Sequence, residues 1–74
     1  MFVWTVSIYR TVGDWEAISR RTEVKATVEE LIEAYRAQGY RLVKHIESQF
    51  NGKETHYIEL AKNGWKVEAL SYSM

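Results

Sequence analysis

One stretch of the chain, residues 27–39 (TVEELIEAYRAQG), has the complete sequence signature of a helix and constrains everything around it. Thr27 followed three positions later by Glu30 is a capping box, in which each side chain satisfies a backbone N–H group at the helix start. Apolar residues recur at helical spacing and make one stripe, at Val28, Leu31, Ile32 and Tyr35. Gly39 then ends the helix in a left-handed conformation, and Tyr40 can supply the hydrophobic contact of a Schellman cap. The pattern predicts a single amphipathic helix that is fixed at both ends.

The segment before this helix has the alternation of β-strands. Residues 2–10 alternate between a strongly apolar side and a mixed side. After a short turn, residues 15–25 predict a returning strand, in which Ile18 and Val24 point inward. Arg20 lies between them, a misfit that a bulge or a strand end relieves.

Three further strands are predicted after the helix, at residues 40–50, 55–62 and 65–73. Asn63 and Gly64 are a strong hairpin signal and set the register of the last hairpin. That register places Glu59 opposite Glu68, a like-charge pair that is unfavourable unless a cation lies beside it. The order ββαβββ predicts an α+β fold, an antiparallel sheet with one helix packed on one face.

The composition is that of one ordinary globular domain. With 74 residues, 46% hydrophobic and 27% charged, the chain predicts a single domain over residues 1–74. Ten basic and ten acidic residues cancel, which removes the long-range field of a general nucleic-acid binder. Cysteine is absent, so disulfides and thiolate metal sites are excluded. Because no signal peptide or membrane-length apolar run is present, we expect a cytoplasmic protein without a membrane partner.

The turn at Asn51 and Gly52 allows two registers of the hairpin that contains it. A two-residue loop places Ile46 on the same face as Tyr57, whereas a three-residue loop places Ile46 beside Ile58. A slip of one residue moves a whole apolar set to the other face of a sheet. We therefore favour the three-residue loop.

The choice of register decides where two histidines lie. His is the usual metal ligand and general base near neutral pH. In the favoured register, His45 lies on the outer face next to Glu59 and His56 lies on the inner face, which excludes a shared site. In the other register, both histidines and Glu47 gather on one face, enough for a weak metal site. Since no nucleophile or phosphate-binding motif appears, we predict neither an enzyme nor a cofactor or metal.

One face of the predicted sheet is left open. A helix about 10 Å across spans two or three strands that lie about 4.8 Å apart, so it covers only one side. The predicted binding residues on the open side are Tyr9, Val43, His45, Tyr57, Leu70 and Tyr72. Tyrosines among mixed charges are typical of protein interfaces. We predict a protein partner, with a homodimer through this face or an edge strand, or an ordinary surface, as alternatives.

Basic residues offer a different reading of the first hairpin. Arg10, Arg20, Arg21 and Lys25 are expected to lie near one another there. Such a cluster can hold a phosphate backbone, which makes nucleic-acid binding an alternative function. Protection of a sheet edge by basic side chains is the other interpretation.

The order of the elements resembles that of small phage-encoded inhibitors, including some anti-CRISPR proteins. The likeness rests on a strand hairpin, a helix that opens with TVEE, and Gly39-Tyr40-Arg41-Leu42 entering a further hairpin, over residues 2–50. It implies a non-enzymatic protein that blocks a larger host complex by occupying its surface.

The stretch LIEAYRAQGYRLVKH is also similar to the helix, glycine, aromatic and strand order of HicA-type mRNA interferase toxins. Those toxins carry their catalytic His in a Gly-Ser-His context. Here the corresponding residues are His45, Ile46, Glu47 and Ser48, and the chain starts with a hairpin instead of a helix. This likeness makes RNA cleavage a further alternative.

Overall fold

A computed structural model describes the backbone of residues 1–13 and 16–73 and the side chains of residues 1–13 and 18–71. The elements in these ranges are β1 (Phe2–Arg10), β2 (Glu16–Lys25), α1 (Val28–Arg36), β3 (Arg41–Phe50), β4 (Lys53–Lys62) and β5 (Trp65–Ser73). Trp15, which was predicted to open the second strand, lies outside the described residues.

The predicted α+β class, with one helix packed on a sheet face, is wrong. Five antiparallel strands of nine or ten residues dominate the described chain, and α1 has only nine residues. At a rise of about 1.5 Å per residue, α1 is roughly 13 Å long, whereas five strands spaced about 4.8 Å apart extend for about 19 Å. So short a helix does not form a layer of its own, and the protein is a mostly-β domain.

The strands form one antiparallel sheet in the order β2-β1-β5-β4-β3. Strands β2 and β3 are therefore the two edges, and α1 connects one edge to the other. The inner face of the sheet is defined by six buried side chains, those of Trp4, Val6, Ile58, Leu60, Val67 and Ala69. These belong to the same core cluster as Val28, Leu31, Ile32, Tyr35 and Tyr40. The core thus lies over the central strands.

The predicted start of the helix is confirmed, although Glu30 accepts from the backbone N–H of Ala26, at 3.1 Å, and not from that of Thr27. The predicted C-terminal motif is also present, but α1 itself ends at Arg36, before Gly39. The backbone N–H of Glu30 donates to Oγ1 of Thr27, the N-cap, at 3.2 Å. After the last turn, Gly39 has a φ of +95° and the N–H of Tyr40 donates to the carbonyl of Tyr35 at 3.1 Å, as in a Schellman motif. The rings of Tyr40 and Tyr35 pack edge to face with centroids 5.8 Å apart. Local sequence therefore determines where the helix begins and ends.

The register that we favoured for the turn at Asn51 and Gly52 is wrong. The loop has two residues, and both have positive φ, +53° and +75°. Asn-Gly is the pair that a two-residue turn with positive φ at both positions prefers. Ile46 therefore pairs with Tyr57 on the outer face, and His45 comes to the inner face.

The second strand also differs from its prediction. Ile18 and Val24 were expected to point inward, but they are 51% and 55% exposed. The pairing of β1 with β2 shifts by one residue at Ile18, which is the bulge that the misfit of Arg20 indicated. Arg21 and Glu23 occupy inward positions of β2, opposite buried residues of β1.

Candidate functional site

The outer face carries an apolar row that crosses three strands. Ile46, Tyr57 and Leu70, here called the apolar row, are paired in register across β3, β4 and β5. Leu70 is 54% exposed and Ile46 is 50% exposed. Because Leu70 lies on an inner strand of the sheet, its exposure means that water reaches the middle of this face.

Three other predicted binding residues lie elsewhere or are not described. Val43 is 50% exposed, at a bulge in the edge strand β3. His45 was placed wrongly on the outer face, because the two-residue turn brings it to the inner face beside His56. The side chain of Tyr72 lies outside the described residues.

A polar network borders the apolar row. The hydroxyl of Tyr57 donates to Glu59 at 3.0 Å and lies 3.2 Å from Glu68. The ammonium of Lys66 is 3.3 Å from Glu59 and 3.6 Å from Glu68, so it supplies the cation that the like-charge pair requires. Burial, and then the hydrogen bond with Glu59 and the charge of Glu68, raise the pKa of Tyr57. The tyrosine is therefore held neutral as a donor.

A shallow depression of about 300 Å³ lies beside the apolar row. Tyr9, Tyr57 and Leu70 line it, so the structure brings three of the predicted binding residues together. Arg20 lines the same depression, and its Nε donates to Oγ of Ser7 at 3.2 Å. The depression combines apolar walls with a guanidinium group, a combination that suits a protein side chain.

The four basic residues predicted for nucleic acid do not form one patch. Arg20 and Arg21 lie on opposite faces, because neighbouring residues of a strand alternate. Arg21 and Lys25 lie 2.8 Å and 3.8 Å from carboxylate oxygens of Glu23. Arg10 lies at the opposite end of the hairpin from Lys25. The predicted cluster is wrong, and with it the main support for phosphate binding.

A buried tyrosine explains the polar residues at the inward positions of β2. The hydroxyl of Tyr35 donates to Glu23 at 2.7 Å, and Arg21 donates to the same hydroxyl at 3.0 Å and to Glu23 at 2.8 Å. Burial, followed by the hydrogen bond with Glu23, raises the pKa of Tyr35 to about 12. The hydrogen bonds with Tyr35 and Glu23 raise the pKa of Arg21. This closed network joins α1 to the edge strand.

A cleft of about 320 Å³ lies on the inner side between the start of α1 and the hairpin of β3 and β4. Five residues with side chains that can bind a metal line it, namely Glu29, His45, Glu47, Glu54 and His56. Ligand atoms of Glu47, Glu54 and His56 all lie within 4.8 Å of one another. Glu47 pairs directly with His56, and Glu54 precedes His56 by two positions on the same face. The register that we rejected is what gathers them.

His56 is the centre of this cluster. It is only 4% exposed, and its ring packs edge to face against Phe2 with centroids 5.2 Å apart. Its Nε2 contacts the carboxylate of Glu54, and its Nδ1 lies 2.9 Å from Nε2 of His45. Because both ring nitrogens have partners, the orientation of the imidazole is determined by its surroundings.

Comparison of the chain with protein-family models, with curated proteins and with solved structures finds no match. Across the described residues, no helix has the length and apolar character needed to cross a membrane. The functional conclusions below therefore depend on the two faces of the sheet and on the chemistry of their side chains.

Proposed function

We propose that this protein is a non-enzymatic protein-binding module that docks its outer face on a larger protein and blocks that protein's surface. The observation that carries the proposal is the apolar row, whose two aliphatic members are half exposed. Tyrosine beside exposed aliphatic side chains is typical of the centre of a protein interface. An inhibitory role extends the likeness to small phage-encoded inhibitors, including the anti-CRISPR proteins.

The charges beside the apolar row favour a protein over a nucleic acid. One line of paired residues runs from Lys44 through Glu59 and Glu68 to Arg20 on the outer face. The two glutamates in its middle are paired with Lys66, and a further cation stands at each end, so charges of both signs lie side by side on this face. The partner that fits this arrangement is a protein surface with an apolar ridge and side chains of both charges around it.

Site-specific photo-crosslinking in the native host tests the docking face. A photoreactive residue at position 70 is expected to crosslink one defined larger protein. The matched control places the same residue at position 33, because Glu33 is an exposed residue of α1 and does not lie on the outer face. Position 33 is not expected to yield that product.

A charge in the apolar row provides the competing variant. Ile46→Arg is expected to abolish the crosslink from position 70 with little change in thermal stability, because Ile46 is already half exposed. Val12→Arg, at a residue that is 68% exposed in the loop after β1, is expected to leave the crosslink intact. Crosslinks to a second copy of the chain or to nucleic acid, or no crosslink at all, would contradict the proposal.

A further inference from the structure

We propose that the cleft at the start of α1 is a binding site for one divalent transition-metal ion, with Zn²⁺ as the representative ion. Glu47, Glu54 and His56 are the ligands, and His45 is a positioning residue that orients the imidazole of His56. The site is separate from the outer face and goes beyond the protein-binding function, because the four residues lie on the inner side of the sheet.

The ligand atoms are close enough for one ion. Zn²⁺ binds His nitrogen and carboxylate oxygen at about 2.0–2.2 Å in tetrahedral geometry, so two ligand atoms on one ion lie about 3.4 Å apart. In the cleft, the three candidate atoms lie within 4.8 Å of one another. Glu47 is exposed and Glu54 is half-buried, so rotation of these two side chains closes the difference while the buried His56 stays in place.

The donor set selects the class of ion. One imidazole nitrogen with two carboxylate oxygens suits Zn²⁺ and its neighbours among the divalent transition metals, whereas Mg²⁺ prefers oxygen ligands alone. The chain has no cysteine, so a thiolate ligand, which would favour softer ions, is excluded. The cleft is open, so solvent can complete the coordination of the ion.

His45 provides the supporting contact that metal-binding histidines commonly have. A histidine ligand usually donates its second ring N–H to an acceptor, which fixes its tautomer. If Nδ1 of His56 donates to Nε2 of His45, across 2.9 Å, the lone pair of Nε2 in His56 points toward the carboxylate of Glu54. In that tautomer, the ring nitrogen and the carboxylate can both bind a single metal ion.

Binding of the ion would clamp an edge strand. Glu47 lies on β3, whereas Glu54 and His56 lie on β4. Strand β3 is exposed over nearly its whole length, and its sheet pairing is with β4. Because a ligand that binds only the folded state stabilises it, Zn²⁺ is expected to raise the unfolding temperature.

Titration of the purified protein with Zn²⁺, followed by calorimetry and by imidazole ¹⁵N NMR, tests the site. One ion is expected to bind per chain and to change the ¹⁵N chemical shift of Nε2 in His56. Glu47→Gln is expected to weaken Zn²⁺ affinity by about tenfold or more, since even supporting contacts of metal ligands contribute that much. Glu33→Gln, at an exposed glutamate of α1, is the matched control and is expected to bind as the wild type does.

The role of His45 has its own signature. In the wild type, the ¹⁵N chemical shifts of His56 are expected to indicate a ring proton on Nδ1. That tautomer is expected to be lost in His45→Phe and kept in Glu33→Gln. The proposal is overturned if Zn²⁺ does not bind, if Glu47→Gln binds it as tightly as the control does, or if Mg²⁺ binds more tightly than Zn²⁺.

Discussion

The two faces of the sheet are formed by the same strands but differ in how far their apolar side chains are exposed. On the inner face, the side chains of the central strands are sealed, as Leu60 and Ile58 show with no exposure at all. On the outer face, Leu70 remains half exposed although it lies on the strand next to that of Leu60. The difference shows that the buried core lies on one face of the sheet, over its central strands. The edges of that face are held by polar networks, and the outer face is available to a partner.

The largest expected effect is the difference in stability lost when the same Leu→Ala substitution is made on each face. Leu60→Ala removes a fully buried side chain and is expected to cost about 3 kcal/mol in the free energy of unfolding. Leu70→Ala removes the same atoms from the outer face and is expected to cost about 0.5 kcal/mol or less. Urea unfolding of both variants, followed by circular dichroism, measures the difference. Equal losses of stability would mean that the outer face is covered in the isolated protein.

A smaller effect concerns the polar network at one edge of the inner face. The pKa of Tyr35 is raised from 10.0 to about 12 in the folded protein, so the folded state keeps a proton that the unfolded chain releases. The resulting stability is complete below pH 10 and is lost as the pH rises toward 12. Its size is on the order of 2 kcal/mol. The pKa values of Tyr57 and Tyr40 are raised in the same direction, so the wild type is expected to lose stability steeply in this range.

Tyr35→Phe isolates the contribution of the network to this alkaline loss. The variant leaves Arg21 and Glu23 paired with each other, and it is expected to cost about 1 kcal/mol at pH 8. Above pH 10 its stability is expected to fall less steeply than that of the wild type. Urea unfolding at a series of pH values measures both slopes. Identical slopes would show that the hydroxyl of Tyr35 does not titrate with unfolding.

The parts of the fold that could be predicted have local signals. Thr27 and Glu30 define the helix start through contacts within one turn, and Asn63-Gly64 determines the register of the last hairpin, in which Leu60 pairs with Val67 as expected. The fold class could not be predicted in this way, because clear caps identify a helix without showing that five long strands dominate the rest of the described chain.

The candidate metal site could not be predicted, because its residues share a face only in the register set by the Asn51-Gly52 turn. The alternation of apolar residues favoured placing Ile46 inside, but the inner face at that edge is lined by His45, Glu47 and His56, so the rule that apolar residues point inward fails there. The network of Tyr35 with β2 could not be predicted from local sequence either, because it joins residues that are twelve or more positions apart. The edge strands of this sheet, β2 and β3, are where sequence periodicity is least informative.

The central claim is that the outer face of the free protein is open, and methyl NMR with a soluble paramagnetic agent tests it most directly. The methyl signals of Leu70 and Ile46 are expected to broaden strongly as the agent is added, while those of Leu60 and Ile58 keep their intensity. Equal protection of all four residues would contradict the account, because it would mean that the outer face is already covered.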